Sequence, residues 1–85
     1  MRRDDLTREQ AALWLADVLQ QHFGVSHERI VAGTDLYRDL DLDSIDAADI
    51  VLQFNQNFGR RVDVRSFRAV RTIEQALDVL YPPQS

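Results

Sequence analysis

Three observations predict an all-α fold: a small four-helix bundle with a long loop between helices 1 and 2 and a short third helix. Two Thr-x-x-Gln signatures, Thr7-Arg8-Glu9-Gln10 and Thr72-Ile73-Glu74-Gln75, have the spacing of capping boxes, which satisfy the free amides where a helix begins. Apolar residues recur at three- and four-residue intervals in three separate stretches, the signature of helices with one buried face. The alternating segment Val62-Asp63-Val64 lies where a strand could be sought and is too short to make a sheet. The length allows a single domain, expected over residues 1–85 with an ordered core of about 7–81, and a hydrophobic content of 45% suffices for one modest core.

The first helix begins at the Thr7 box and carries Ala11, Leu15, Val18, Leu19 and Phe23 on one stripe. Gly24 can take the left-handed conformation that ends it. Leu13 and Trp14 fall off the stripe, and Trp14 reads as packing at the helix rim. From Val25 to Asp43 the spacing is irregular around the turn signal Gly33-Thr34-Asp35, and Ile30, Val31, Leu36 and Leu40 are expected to pin this loop to the core. So long a loop in a compact domain is usually functional.

A second helix is expected from about Ser44 to Phe58, stopping at Gly59. Ala47, Ile50, Val51, Phe54 and Phe58 form its core stripe, while Asp46, Asp49, Gln53, Gln56 and Asn57 form the opposite, wet face. Ile45, Ala48 and Leu52 lie together at one edge of the apolar face, open to a partner or an attached arm. Val64–Ala69 reads as a short helical turn presenting Phe67. The last helix carries Ile73, Ala76, Leu77 and Leu80, and Pro82-Pro83 ends it.

The net charge of −4 is unevenly spread. Residues 35–49 hold six Asp (35, 39, 41, 43, 46 and 49) against Arg38, and residues 60–71 hold five Arg (60, 61, 65, 68 and 71) against Asp63. The acidic block suits a partner with a basic docking surface. The basic stretch lacks interleaved aromatic platforms in an acidic chain, which argues against nucleic acid. No cysteine is present, so neither a disulfide framework nor a thiolate metal site is possible, and a reducing, cytoplasmic setting is expected. No stretch has the length of a membrane span, and Met1-Arg2-Arg3-Asp4-Asp5 leads into no apolar leader.

Ser44 sits where the Asp-rich loop gives way to the second helix, in Asp39-Leu40-Asp41-Leu42-Asp43-Ser44-Ile45-Asp46. A serine nucleophile needs a base within hydrogen-bond reach, yet the two histidines, His22 and His27, lie near the end of helix one. Leu42 and Asp46 stand where a Gly-x-Ser-x-Gly elbow needs glycine. A catalytic serine is therefore not expected. An anion attached to the hydroxyl would instead be stabilised by the free first-turn amides and the positive end of the helix dipole. Asp43 is placed to cap the helix with Asp46 in a capping-box position, which leaves Ser44 exposed. Asp39, Asp41 and Asp43 mimic the start of a calcium loop, but Ser44 and Ile50 occupy its glycine and bidentate glutamate positions.

The pattern Asp39-Leu40-x-x-Asp43-Ser44-Ile45-Asp46 resembles the prosthetic-group site of acyl carrier proteins, and the likeness runs from Thr7 to Leu80. The resemblance implies that a phosphopantetheinyl transferase moves phosphopantetheine from coenzyme A to Ser44. It implies too that the arm's thiol holds acyl intermediates as thioesters, and that the chain is a monomeric carrier and not an enzyme. Implied partners are the ketosynthase, acyltransferase or ligase, reductase and dehydratase enzymes of a type II fatty-acid or polyketide pathway. Asp39, Asp41, Asp43, Ile45, Asp46, Asp49 and Leu52 are the expected docking residues, and Phe54, Phe58, Val62 and Phe67 the expected interior that meets an acyl chain. Asp41 departs from the family, which commonly has Gly there, as do Ile45 in place of Leu and the basic 60–71 stretch. Asp41–Asp49 with Val70-Arg71-Thr72 is most similar to the carriers of type II secondary pathways, including those making aryl polyenes. Two alternatives are a peptidyl or aminoacyl carrier, which usually has glycines before its serine, and an unmodified helical interaction module in which Ser44 is only a cap residue.

Overall fold

In a computed structural model, which describes residues 6–82, Thr7 and Gln10 close the first capping box: the Gln10 amide donates to Thr7 Oγ1 and the Thr7 amide to Gln10 Oε1, each at 3.1 Å. Helix α1 then runs over Arg8–Phe23 and ends on Gly24 at φ 66°, a conformation that costs glycine nothing. A short 3₁₀ turn at His27–Arg29 follows. Helix α2 spans Ser44–Phe58, α3 spans Val64–Ala69 and α4 spans Ile73–Leu80, so the four-helix pattern is present with the expected long loop and short third helix. No strand is formed among the described residues beyond a single antiparallel bridge between Asp35 and Thr72. None of these helices is long and apolar enough to cross a membrane. The expectations for Met1–Asp5 and for Pro83 lie outside the described residues.

The core is built from one stripe of each helix. Ala11, Leu15, Val18 and Leu19 of α1 meet Ala47, Ile50, Val51 and Phe54 of α2, Phe67 of α3, and Ile73, Ala76, Leu77 and Leu80 of α4. Phe23 and Phe58, expected in the stripes, are half-buried at the ends of their helices. Trp14 does pack at the rim of α1, half-buried and edge-on to Phe54 and Phe58, with ring centroids 5.3 and 5.9 Å away. Such edge-to-face pairs add about 0.5–1.5 kcal/mol beyond area burial. Arg8 joins α1 to α4 through an ion pair with Asp78 at 2.8 Å.

The long loop is pinned from several sides. Leu36 and Leu40 are buried as expected, and Leu42 joins them. Val31 is not part of the pin: it is 57% exposed, and Ile30 is only half-buried. The backbone does that work instead. The Ile73 and Glu74 amides donate to the Thr34 and Ala32 carbonyls at 3.0 Å each, and the Leu36 amide donates to the Arg71 carbonyl at 2.6 Å. Thr34, buried, donates its hydroxyl to the Arg29 carbonyl at 2.6 Å and accepts from the Val31 amide at 3.3 Å, so its polar atom is satisfied. The loop thus reaches the start of α4 as an ordered strap, and its far end delivers Asp43 to the start of α2.

Candidate functional site

At the head of α2 the cap is Asp43. Its Oδ1 accepts from the Asp46 amide at 2.9 Å, and the Asp43 amide donates to Asp46 Oδ2 at 3.2 Å, a complete capping box. Ser44 is consequently the first helical residue and is free of capping duty. It is exposed, and among the described residues its hydroxyl has no hydrogen-bond partner. Ser26 and Ser66 have no such setting: Ser26 precedes the 3₁₀ turn and Ser66 lies within α3.

Ser44 lines an open depression of about 610 Å³ together with Tyr37 from the loop and Arg65, Arg68 and Ala69 from α3. Tyr37 anchors the wall. Its Oη donates to the Arg68 carbonyl at 3.3 Å and, more weakly, to the Phe67 carbonyl at 3.5 Å. Burial pushes the phenol above its ordinary value, while the charge of Arg68 works the other way and that of Asp35 adds to the rise. Neither Tyr37 nor the two arginines were assigned to the site from sequence, because they stand apart from Ser44 along the chain and meet it only through the fold.

Much of the acidic block, expected as a docking surface, is engaged by the chain's own backbone. Among the described residues, four of its six carboxylates hold backbone amides: Asp35 those of Tyr37 and Arg38, Asp39 that of Asp35, and Asp43 and Asp46 one another's. Asp46, expected on the wet face, is half-buried and structural. Among the described residues, Asp41 and Asp49 are exposed without such a bond, Asp49 accepting only from the side chain of Gln53 at 2.9 Å. The expected apolar contacts beside them are available, since Ile45 is 76% and Leu52 54% exposed. Of the expected interior, Phe54 and Phe67 are fully buried, and Phe58 and Val62 are half-buried against the same core.

Asp35 is the most heavily engaged carboxylate. Hydrogen bonds from the Arg38 and Tyr37 amides, with the Arg71 guanidinium at 3.3 Å, hold it below the ordinary carboxylate value despite some desolvation. Asn55 was also missed from sequence. Its side chain donates to the Val62 carbonyl at 3.1 Å and accepts from the Val62 amide at 2.9 Å, closing the link between α2 and α3.

Comparison with known proteins bears on this geometry. Residues 13–80 match the family described as a phosphopantetheine attachment site. The chain is 34% identical over 59 residues to acyl carrier protein 2 of Ralstonia nicotianae, covering 69% of this chain and 73% of that one. It is 29% identical over 75 residues to an acyl carrier protein of Coprothermobacter proteolyticus, covering 88% and 92% of the two chains. An acyl carrier protein of Lactobacillus johnsonii is 24% identical over 80 residues, 94% of this chain and 100% of that one.

Proposed function

Because the chain belongs to the phosphopantetheine-bearing acyl carrier protein family, a family that carries acyl intermediates, we propose that Ser44 is the residue to which the arm is joined. One observation carries this reading: Ser44 is an exposed first-turn hydroxyl released from capping by Asp43. The residues fit the group. A phosphodiester on Ser44 would lie at the amino end of a 15-residue helix, where first-turn amides and the helix dipole favour an anion. When bound, the arm supplies a thiol on which acyl groups travel as thioesters, chemistry that a chain without cysteine cannot supply itself.

The chain's own residues present and guide. Asp43 and Asp46 fix the first turn so that Ser44 faces solvent, where a transferase can reach it. Asp41, Asp49, Ile45 and Leu52 form the open part of the docking face, and Asp39, Asp43 and Asp46 contribute charge to its field while holding the backbone. The partners of this reading are a phosphopantetheinyl transferase and the ketosynthase, acyltransferase or ligase, reductase and dehydratase of a type II pathway in the cytoplasm. Within that class, the run Asp41–Asp49 followed by Val70-Arg71-Thr72 supports a secondary-pathway carrier of the aryl-polyene kind. Tethering raises the effective concentration of cargo at each docked enzyme.

The test is incubation with coenzyme A and a broad-specificity phosphopantetheinyl transferase, read by intact mass. Wild type should gain one phosphopantetheine and Ser44→Ala none. Arm uptake persisting in Ser44→Ala would move the site elsewhere, and no uptake by folded wild type would leave an unmodified helical module.

A further inference from the structure

The arginines of residues 60–71 differ in their surroundings. Arg71 pairs with Asp35, and the Arg60 guanidinium lies 5.8 Å from the centre of the Tyr81 ring. Arg65 and Arg68 form no ion pair among the described residues. Both are exposed, they stand three apart on α3 and so share a face, and both line the depression that contains Ser44. Two uncompensated guanidinium groups therefore border the same open space as the one hydroxyl at the head of α2.

We propose that Arg65 and Arg68 clamp the phosphodiester that joins the arm to Ser44, an inference that rests on Ser44 being the attachment residue. Connectivity selects the occupant. The phosphorus is bonded to the Ser44 oxygen, so its free oxygens stay beside an atom that already lines the groove, whereas the thiol and its cargo lie at the far end of the arm. Guanidinium groups match phosphate oxygens in geometry and remain charged at every working pH. The clamp also answers the carboxylates that flank Ser44. Asp43 and Asp46 put negative charge on the α2 side, and Arg65 and Arg68 put positive charge on the α3 side. The near end of the arm is then held along α3 beside Tyr37 and Ala69, and only its outer part swings.

Nitrogen-labelled protein is converted to the armed form with coenzyme A and transferase, with completion checked by mass. The arginine Nε–Hε resonances are recorded before and after, and phosphorus NMR is compared between armed wild type and armed Arg65→Gln/Arg68→Gln. The Arg65 and Arg68 resonances should move on conversion while that of Arg8, paired with Asp78, stays. The phosphorus resonance should shift in the double variant, whose circular dichroism should be unchanged because both positions are exposed. Complete conversion with unmoved Arg65 and Arg68 resonances and an unchanged phosphorus signal overturns the clamp and leaves the attachment site standing. No arm on wild-type Ser44 overturns both.

Discussion

Asp41 is the one described non-glycine residue with positive φ, at 59°. A side chain there crowds the following carbonyl, and Asp tolerates the position better than most residues because its short carboxylate can bond locally. The glycine expected at this point from family resemblance thus has a backbone reason. Asp41→Gly should relieve strain worth more than the added freedom of the unfolded chain, a net gain of about 0.5–1 kcal/mol in chemical denaturation; a loss would show that the carboxylate itself is needed. Asp35 makes a pH prediction. Its native value lies below the ordinary 3.8, so the stability it adds is whole above that value and drains away as pH falls through the lowered one. Asp35→Asn keeps an acceptor but cannot titrate. The stability gap between wild type and this variant should be flat near neutrality and narrow under acid, and a gap independent of pH down to acid unfolding would remove Asp35 from the account.

Helix α3 has six residues, too few to persist alone. Four contacts hold it: the Asp63 cap onto the Arg65 amide at 2.9 Å, buried Phe67, the Asn55–Val62 pair before it, and the Tyr37 hydroxyl on its last carbonyls. Tyr37→Phe removes the last of these at a cost of about 0.5–1.5 kcal/mol. Amide exchange in α3 should quicken while α1 stays protected; uniform quickening would mean that Tyr37 supports the whole core and not this element. The difference between legible and illegible features follows sequence separation. The bounds of α1 and α2 and the start of α4 could be read because capping boxes and terminal glycines lie within a few residues of what they cap. The Tyr37 and Asn55 bonds are set by how the chain folds back, which no local pattern encodes. Val31 was misassigned for a related reason: in an irregular segment no period tells an inward apolar residue from an outward one. The setting of Ser44, an exposed first-turn hydroxyl behind the Asp43 cap, was legible because its cap, its helix and its flanking charges are all local.

At the scale of the whole molecule, the described chain has a radius of gyration of 12.0 Å, close to the roughly 12 Å expected of a compact domain this long. Its field, however, is divided: carboxylates gather before and along α2, and arginines gather from residue 60 to 71. The acid cluster could be read from composition, but not that most of it holds backbone amides. Asp49 is the cleaner probe of docking, since Asp46 closes the α2 capping box. Asp49→Arg should slow transferase loading several-fold at low salt, the gap closing as salt shortens the Debye length. Equal rates at low salt, with helical content intact, would place docking elsewhere. One last property comes from the seam between α1 and α2. Trp14, the chain's single tryptophan, leans edge-on against Phe54 and Phe58 there, against a background of only two tyrosines. Its fluorescence is thus a native optical gauge of that seam: the emission should change when the two helices part, and the protein reports on its own interior without a label.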